Sequence, residues 1–315
     1  MTTVNIIVPM KTEPKMSTKT GYKIADGGMW VVSHLPLWAL YPLGFALYFL
    51  LYYVVRYRRK VVMRNLAESF PAKSRRELRA IAKEFYLNFA DYVVETLRLG
   101  GISRREILSR ITYENLSLVN GYLEQKRPIV AYFSHCINWE WVTTLGTVVD
   151  VPESECSQVY RPLKSKWMDG YMLRLRQRFG ARCYPKATVF RELLRRRKEG
   201  ITTFTGFMSD QKPSHNDPGY ITMFLNHPTA MITGTETVAR KLGAAVVYFD
   251  MTKLQRGRYH VRIRPIADDA AALPEGELTE RYTRLLEENI RRQPSIWLWT
   301  HRRWKHPVTL PTADK

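Results

Sequence analysis

Polar and apolar positions segregate rather than alternate near the start of the chain. Residues 29–55 contain no Asp, Glu, Lys or Arg, and the inner run 35–55 meets the roughly 20 apolar residues needed to cross a bilayer. The run passes directly into Arg56, Arg58, Arg59 and Lys60 without a small-residue cleavage site, which predicts a retained membrane anchor and not a removed leader. By the positive-inside rule that cluster holds the downstream chain in the cytoplasm, against a weaker opposing bias from Lys15, Lys19 and Lys23. Pro36, Pro42 and Gly44 interrupt the run, so a spanning helix and a kinked, shallow anchor both remain open. Trp30, Trp38, Tyr41, Tyr48, Tyr52, Tyr53 and Tyr57 suit a membrane–water interface.

Downstream the period changes. Leu78, Ile81, Phe85, Phe89, Val93 and Leu97 recur every three or four positions and predict an amphipathic helix over 74–98. Ser74 and Glu77 open it as a capping box, and Gly100-Gly101 ends it before a short helix beginning at Ser103. Short apolar runs then predict strands at 129–133, 157–160, 181–184, 201–207, 245–248 and 259–263. Helical patterns at 166–179, 187–198, 233–241 and 278–291 lie between or after them. Such alternation predicts an α/β fold, a layered and mainly parallel sheet flanked by helices, with an N-terminal membrane-anchoring helix.

One strand end carries candidate chemistry. Pro128-Ile129-Val130-Ala131-Tyr132-Phe133 runs into Ser134-His135-Cys136-Ile137-Asn138-Trp139-Glu140-Trp141, which sets a histidine and a carboxylate five residues apart behind a buried strand. On one continuous helix the two would point roughly 140° apart. They meet only if His135 lies in the turn and Glu140 in the first turn of a helix from Trp139, for which Asn138 is a candidate cap. Turns of this kind line the crevice at the carboxyl ends of strands, where ligands bind. The pair suits a general base and the group that orients it. Read alone, a histidine beside tryptophans is more often a packed, satisfied side chain.

Asp210 would follow the strand at 201–207 on the same sheet edge, where its simplest role is to pair with an arginine and hold it. Neither Cys136 nor Ser134 is read as a nucleophile, because sequence neighbours of His135 in an extended turn point away from it. His215, His227, His301 and His306 with Asp217 lack compact ligand spacing, so no metal is expected.

Composition narrows the class. With 315 residues, 45% of them hydrophobic, the chain suffices for one α/β core and a helical appendage. Its 49 basic against 29 acidic residues give +20, which implies an acidic partner: nucleic acid, an anionic leaflet, a phosphorylated lipid or an acidic carrier protein. Three cysteines without zinc-like spacing argue against a disulfide framework and point to a reducing compartment. A membrane-tethered basic protein that binds nucleic acid without catalysis fits the charge, yet leaves His135 and Glu140 unexplained.

Several blocks recur in order: Leu35-Pro36-Leu37, the stretch 52–62, Asn65-Leu66, Ser69-Phe70-Pro71, Tyr160-Arg161-Pro162, Arg176-Gln177-Arg178, Ser209-Asp210-Gln211 and 297–304. With His135 and Glu140 they resemble the lysophospholipid acyltransferase-like superfamily and, within it, the bacterial lipid A secondary (late) acyltransferases, whose catalytic dyad is His-x4-Asp/Glu. The resemblance runs from about residue 21 to 307. It implies a poorly ordered tail at 1–28, a membrane anchor at 29–60 and an acyltransferase domain at 61–315, on the cytoplasmic face of the cell inner membrane. The implied reaction moves a fatty acyl chain from acyl carrier protein to a hydroxyl of a hydroxyacyl chain on a lipid A precursor. His135 would be the general base and Glu140 the group that fixes its tautomer. Arg176 and Arg178 would face the active site, with Arg176 on the oxyanion, while Arg161 and Arg178 would receive lipid phosphates or the acidic carrier. Membrane lipid is the remaining partner, and neither a cofactor, a metal nor nucleic acid is expected. Acyl-coenzyme A as donor, with another glycolipid or a phospholipid as acceptor, is the alternative. Three positions depart from the family: Ser134 stands where many members have glycine, and Cys136-Ile137 where they have an aromatic or leucine and then glycine. The first twenty residues match no part of it.

Overall fold

The computed structural model describes residues 20–214, 217 and 219–310. Residues 1–19 of the expected tail, with Lys15 and Lys19, lie outside the described residues, as does His215.

The uncharged N-terminal run does not form one helix. Helix α1 (Thr20–His34) takes in residues 20–28, expected in the tail, and stops before Pro36, whose extended backbone (φ −64°, ψ 152°) redirects the chain. Helix α2 (Leu37–Phe49) comes next and continues through a π-helical turn, Leu50–Val54. After α3 (Arg59–Ser69) comes α4 (Arg75–Arg98), opened by the expected capping box: Glu77 Oε2 accepts from Ser74 N at 2.7 Å, and Ser74 Oγ accepts from Glu77 N at 3.3 Å. α4 buries more than the predicted stripe. Ala82, Tyr86, Ala90 and Val94 are enclosed, and so are the charged Asp91 and Glu95, because α2 covers one side of the helix and the sheet covers the other. Leu37, Leu40, Gly44, Tyr48 and Tyr52 form the buried face of the α2 segment.

Helix α5 (Arg104–Leu108) leads to strand β1 (Ile111–Glu114) and helix α6 (Leu116–Glu124). Next along the chain are β2 (Ile129–Phe133), β3 (Ser154–Tyr160), α7 (Lys166–Gln177), β4 (Arg182–Pro185), α8 (Val189–Lys198) and β5 (Thr202–Met208). β6 (Tyr220–Phe224) and β7 (His227–Met231) form a separate hairpin ahead of α9 (Gly234–Leu242). β8 (Ala245–Gln255), β9 (Arg258–Ala267) and α10 (Glu277–Arg292) complete the domain.

Seven strands share one sheet in the order β1-β9-β8-β2-β5-β3-β4. Five central and outer strands, β8-β2-β5-β3-β4, run parallel, while β9 turns back antiparallel to β8 and pairs parallel with β1. The mainly parallel, helix-flanked sheet is the expected α/β class. β8 and β9 are longer than their apolar cores because they close a hairpin at Gly257 (φ 68°). β2 is apolar at every position because both faces are covered. Tyr132 stacks on Tyr282 of α10, while on the opposite face Phe133 meets Phe249, which also packs against Phe204.

Register places the chemistry. Phe133 is paired with Met208, so His135 and Asp210 each stand two residues beyond the carboxyl ends of adjacent parallel strands. Arg161 comes directly after the end of β3, the next strand across.

Candidate active site

The turn after β2 is held by the C-terminal segment. Ile137 N donates to Ile296 O at 2.8 Å, and Cys136 bridges to Trp297. Ile137 has φ 51°, a left-handed backbone that a β-branched residue occupies only under strain and that suits glycine, the residue usual here in the family the sequence resembles. The next segment is not the expected α-helix. Trp139–Thr147 forms a 3₁₀ helix, in which Thr143, Thr144 and Thr147 hydroxyls donate to the carbonyls three residues earlier at 2.7–2.9 Å. Asn138 does not cap it: its side chain turns inward and donates to Glu95 Oε2 at 2.8 Å.

His135 and Glu140 do not hydrogen-bond to one another. His135 Nδ1 lies 2.7 Å from Asp210 Oδ1, and the second carboxylate oxygen accepts from His135 N at 3.0 Å and from Trp297 Nε1 at 2.8 Å. Glu140, 2% exposed, is instead clasped by Arg176, with Nε to Oε2 at 2.7 Å and Nη2 to Oε1 at 2.6 Å. The expected contacts are therefore exchanged: Asp210 holds the histidine and Glu140 holds the arginine. The reason is register, since the β2–β5 pairing brings Asp210 opposite His135, whereas the 3₁₀ helix turns Glu140 toward α7. An ionised Asp210 only accepts, so the imidazole carries its proton on Nδ1 and presents an Nε2 lone pair.

Electrostatics track the geometry. Burial pulls the His135 pKa down, but the charge and hydrogen bond of Asp210, assisted by Glu140, outweigh it and raise the value above the ordinary one. Burial likewise works against ionised Asp210, and the imidazole with its hydrogen bonds overcomes it, holding the carboxyl down at about 2. The Cys136 thiol is pushed far up by burial, so it is no thiolate nucleophile.

Nε2 of His135 faces a cavity of about 480 Å³. Gln211 Nε2 is 3.4 Å away, and Trp139 and Arg176 share the wall. Phe133, Val159, Val189, Phe190, Phe207, Ile232 and Val238 make the rest of the lining largely apolar. Gly206 belongs to the floor, where a Cβ would come within 2.3 Å of the Phe133 ring. Exposed Arg161, Lys186 and Lys212 line the opening. Arg178 is not there. At the end of α7 it points away from Arg176 and donates to the carbonyls of Leu99 (3.1 Å) and Ile102, tying α7 to the end of α4. Residues 297–304 help close the core: Trp297, Trp299 and Arg303 are buried. Trp297 as a donor to Asp210, and the Asn138–Glu95 contact, are site features that sequence reasoning missed. Neither has a local signal, because both are contacts across the fold.

An imidazole whose Nε2 faces a largely apolar cavity, beside a carboxylate–guanidinium pair, can accept a proton from a group bound there. Comparison with known proteins decides the family. The family model of the bacterial lipid A biosynthesis acyltransferases matches residues 10–306, and so takes in residues 10–20, which the resemblance read from the sequence leaves outside. The chain belongs to this family. The chain is 24% identical over 288 residues to the lipid A biosynthesis lauroyltransferase of Escherichia coli K12, covering 91% of this chain and 92% of the relative. The lipid A biosynthesis palmitoleoyltransferase of the same organism and a lipid A biosynthesis acyltransferase of Shigella flexneri are each 24% identical over 284 residues, 89% of either chain. The protein is thus an acyltransferase of lipid A biosynthesis, and the cavity beside His135 is its candidate active site.

Proposed function

We propose that this acyltransferase moves a fatty acyl chain from an acyl carrier protein thioester to a hydroxyl of a lipid A precursor, with His135 as general base. The observation that carries the reading is the imidazole itself, fixed at Nδ1 by Asp210, with Nε2 facing the cavity and touched there only by Gln211 at 3.4 Å among the described residues. Nε2 takes the acceptor's proton as the hydroxyl oxygen attacks the thioester carbonyl carbon. The tetrahedral oxyanion then collapses, the C–S bond breaks, and the thiolate leaves with the proton returned by His135. Asp210 stabilises the imidazolium. Arg176 faces the oxyanion: Nε and Nη2 are committed to Glu140, while among the described residues Nη1 has no acceptor. A donor of this kind contributes on the order of 3 kcal/mol. Glu140 serves by holding Arg176 and by adding its charge near the imidazole. Arg161, Lys186 and Lys212 at the opening suit the phosphates of the lipid or an acidic carrier.

The anchor is read as lying in the plane of one leaflet. Leu37–Val54 is long and apolar enough by composition, with mean hydropathy 1.6. Its inner face, however, is fastened to charged groups along its length: Arg256 Nη2 donates to Tyr41 O at 3.3 Å, Asp91 lies beside Gly44, and Arg59 stacks over Tyr52. Spanning would draw all three into hydrocarbon. Trp30, Trp38, Leu43, Phe45, Phe49 and Val54 are exposed on the outer face, with Arg56, Arg58 and Lys60 beyond them, as an in-plane seat on an anionic leaflet requires. α1 is tied to α7, the helix that carries Arg176, since Asp26 accepts from Trp167 Nε1 and from Arg174 at 3.1 and 3.2 Å. A membrane lipid therefore approaches the opening from that side.

Purified enzyme, acyl carrier protein thioester and lipid A precursor, analysed by mass spectrometry, test the reaction. The acceptor is expected to gain one ester-linked chain, and to gain none with His135→Ala. Transfer from acyl-coenzyme A alone, or to a phospholipid alone, would overturn the donor or the acceptor assignment.

A further inference from the structure

Glu95 is a fully buried carboxyl that the reaction above does not use. It stands in the last turn of α4 and joins that helix to three other parts of the molecule. Oε2 accepts from Tyr259 Oη of β9 at 2.6 Å and from Asn138 Nδ2 at 2.8 Å, Oε1 accepts from Tyr41 Oη of α2 at 3.2 Å, and the Glu95 carbonyl accepts from Trp141 Nε1 at 3.3 Å. Asn138 and Trp141 belong to the segment that carries His135 and Glu140. Asn138 is itself wholly enclosed, and its Oδ1 has no partner among the described residues, so the bond to Glu95 is the anchor of that side chain. The residue before it is the strained Ile137. A strained backbone persists only where its surroundings over-determine it. Here the restraint comes from Ile296 on one side and from Glu95, through Asn138 and Trp141, on the other.

We infer that Glu95 is a positioning residue for acyl transfer: it holds the turn between His135 and Glu140 through Asn138 and fastens that turn to the membrane-facing helix α2. The inference rests on the proposed roles of His135 and Glu140. Without the clamp the turn relaxes toward an unstrained Ile137, and His135 and Arg176-bound Glu140 lose their mutual placement. Misplacement of about 1 Å costs roughly 100-fold in rate.

The test uses the full chain in detergent micelles, with acyl carrier protein thioester and lipid A precursor as probes. Glu95→Ala and Asn138→Ala are each expected to lower kcat about 100-fold with KM for both substrates nearly unchanged. The double variant should be no worse than the worse single one, because both remove the same restraint. Glu95→Gln should retain activity: its amide oxygen accepts from Tyr259 and Asn138, and its NH2 donates to Tyr41. Tyr41→Phe removes the longest of the carboxylate's contacts without touching the turn, and should lower thermal stability while sparing kcat. If Glu95→Ala does not fold, Asn138→Ala and Glu95→Gln decide the matter. Wild-type kcat in Asn138→Ala, or multiplied losses in the double variant, would overturn the inference. No turnover by the wild-type chain with these probes would overturn the reaction itself, and the inference with it.

Discussion

Replacing Asp210 by Asn separates orientation from mere packing. Oδ2 of Asp210 accepts two N–H groups, from His135 N and Trp297 Nε1, while Oδ1 faces Nδ1 of the imidazole. In Asp210→Asn the amide oxygen must therefore stay with the two donors, which turns the NH2 toward Nδ1. Two donors cannot share that contact, so the imidazole adopts the other tautomer, with the proton on Nε2 facing the cavity. The proposed base is then lost even though the shape is kept. General base catalysis contributes about 10²–10⁴ in rate, or roughly 3–5 kcal/mol of barrier, and kcat should fall by that amount. Asp210→Ala frees both tautomers and should retain more kcat than Asp210→Asn, although it strands two buried donors and is the less stable of the two. Steady-state transfer assays on both variants, alongside thermal unfolding, make the comparison. The pH profile adds a sign. A general base works when neutral, so the raised His135 pKa puts the acid limb of wild-type kcat/KM above about 6.5. Without the Asp210 charge and hydrogen bond, burial and Arg176 are opposed only by the charge of Glu140, so any residual limb moves to lower pH. An Asp210→Asn enzyme within threefold of wild type, or one more active than Asp210→Ala, would refute the tautomer argument.

The same geometry sets other expectations. Arg176→Ala leaves the Glu140 carboxylate buried and unpaired, so unfolding should become easier by about 3–5 kcal/mol in addition to a loss of kcat; unchanged urea midpoints would remove the proposed pairing. Burial pushes the Glu95 carboxyl up to about 7, against an ordinary 4.5. As pH rises from 4.5 to 7 the unfolded chain sheds this proton first, so the native state binds more protons and its stability falls. Glu95→Gln should abolish that slope and gain roughly 1–3 kcal/mol at pH 8, read from urea midpoints at pH 5.5 and 8; an unaltered slope would show that Glu95 is ionised throughout. Phe45→Glu with Phe49→Glu, both on the outer face of α2, should abolish co-sedimentation with anionic vesicles and leave the unfolding temperature in detergent unchanged. Retained sedimentation would exclude the in-plane seat.

The parts of the fold that are legible in the sequence are those governed by local periodicity. The capping box at Ser74 and Glu77, the apolar β2 run and the amphipathic α10 form where the pattern predicts them. β1 and the β6–β7 hairpin are short and half-exposed, and they lack a run long enough to stand out. The antiparallel return of β9 is a pairing choice, which composition does not encode. In the site, His135 and Glu140 are recognisable by spacing, but their partners are not. Asp210 lies 75 residues from His135 and Arg176 36 residues from Glu140, and only the register of β2 against β5 and the 3₁₀ path of Trp139–Thr147 decide who meets whom. Arg178 misleads for the opposite reason: two residues from Arg176 in one motif, it lies on a different side of the same helix.

That exchange of partners bears on how the proposed reaction is stabilised. With neutral His135, the buried groups Asp210, Glu140 and Arg176 sum to one negative charge. Attack on the thioester turns the imidazole positive and creates an oxyanion, so the sum is unchanged while the two new charges stand apart. A carboxylate pair gathered around His135 would favour the imidazolium but would face the oxyanion with two negative groups and no cation between. Dividing the carboxylates gives each new charge its own counterpart. Asp210 is in contact with the imidazole, and Arg176, held by Glu140, is the cation proposed to meet the oxyanion. The two ion pairs are already in place before the chemistry, so little reorganisation is needed as charge develops. The cost is a turn that must keep His135 and Glu140 five residues apart on a strained Ile137, and that requirement gives the buried Glu95–Asn138 contact its importance.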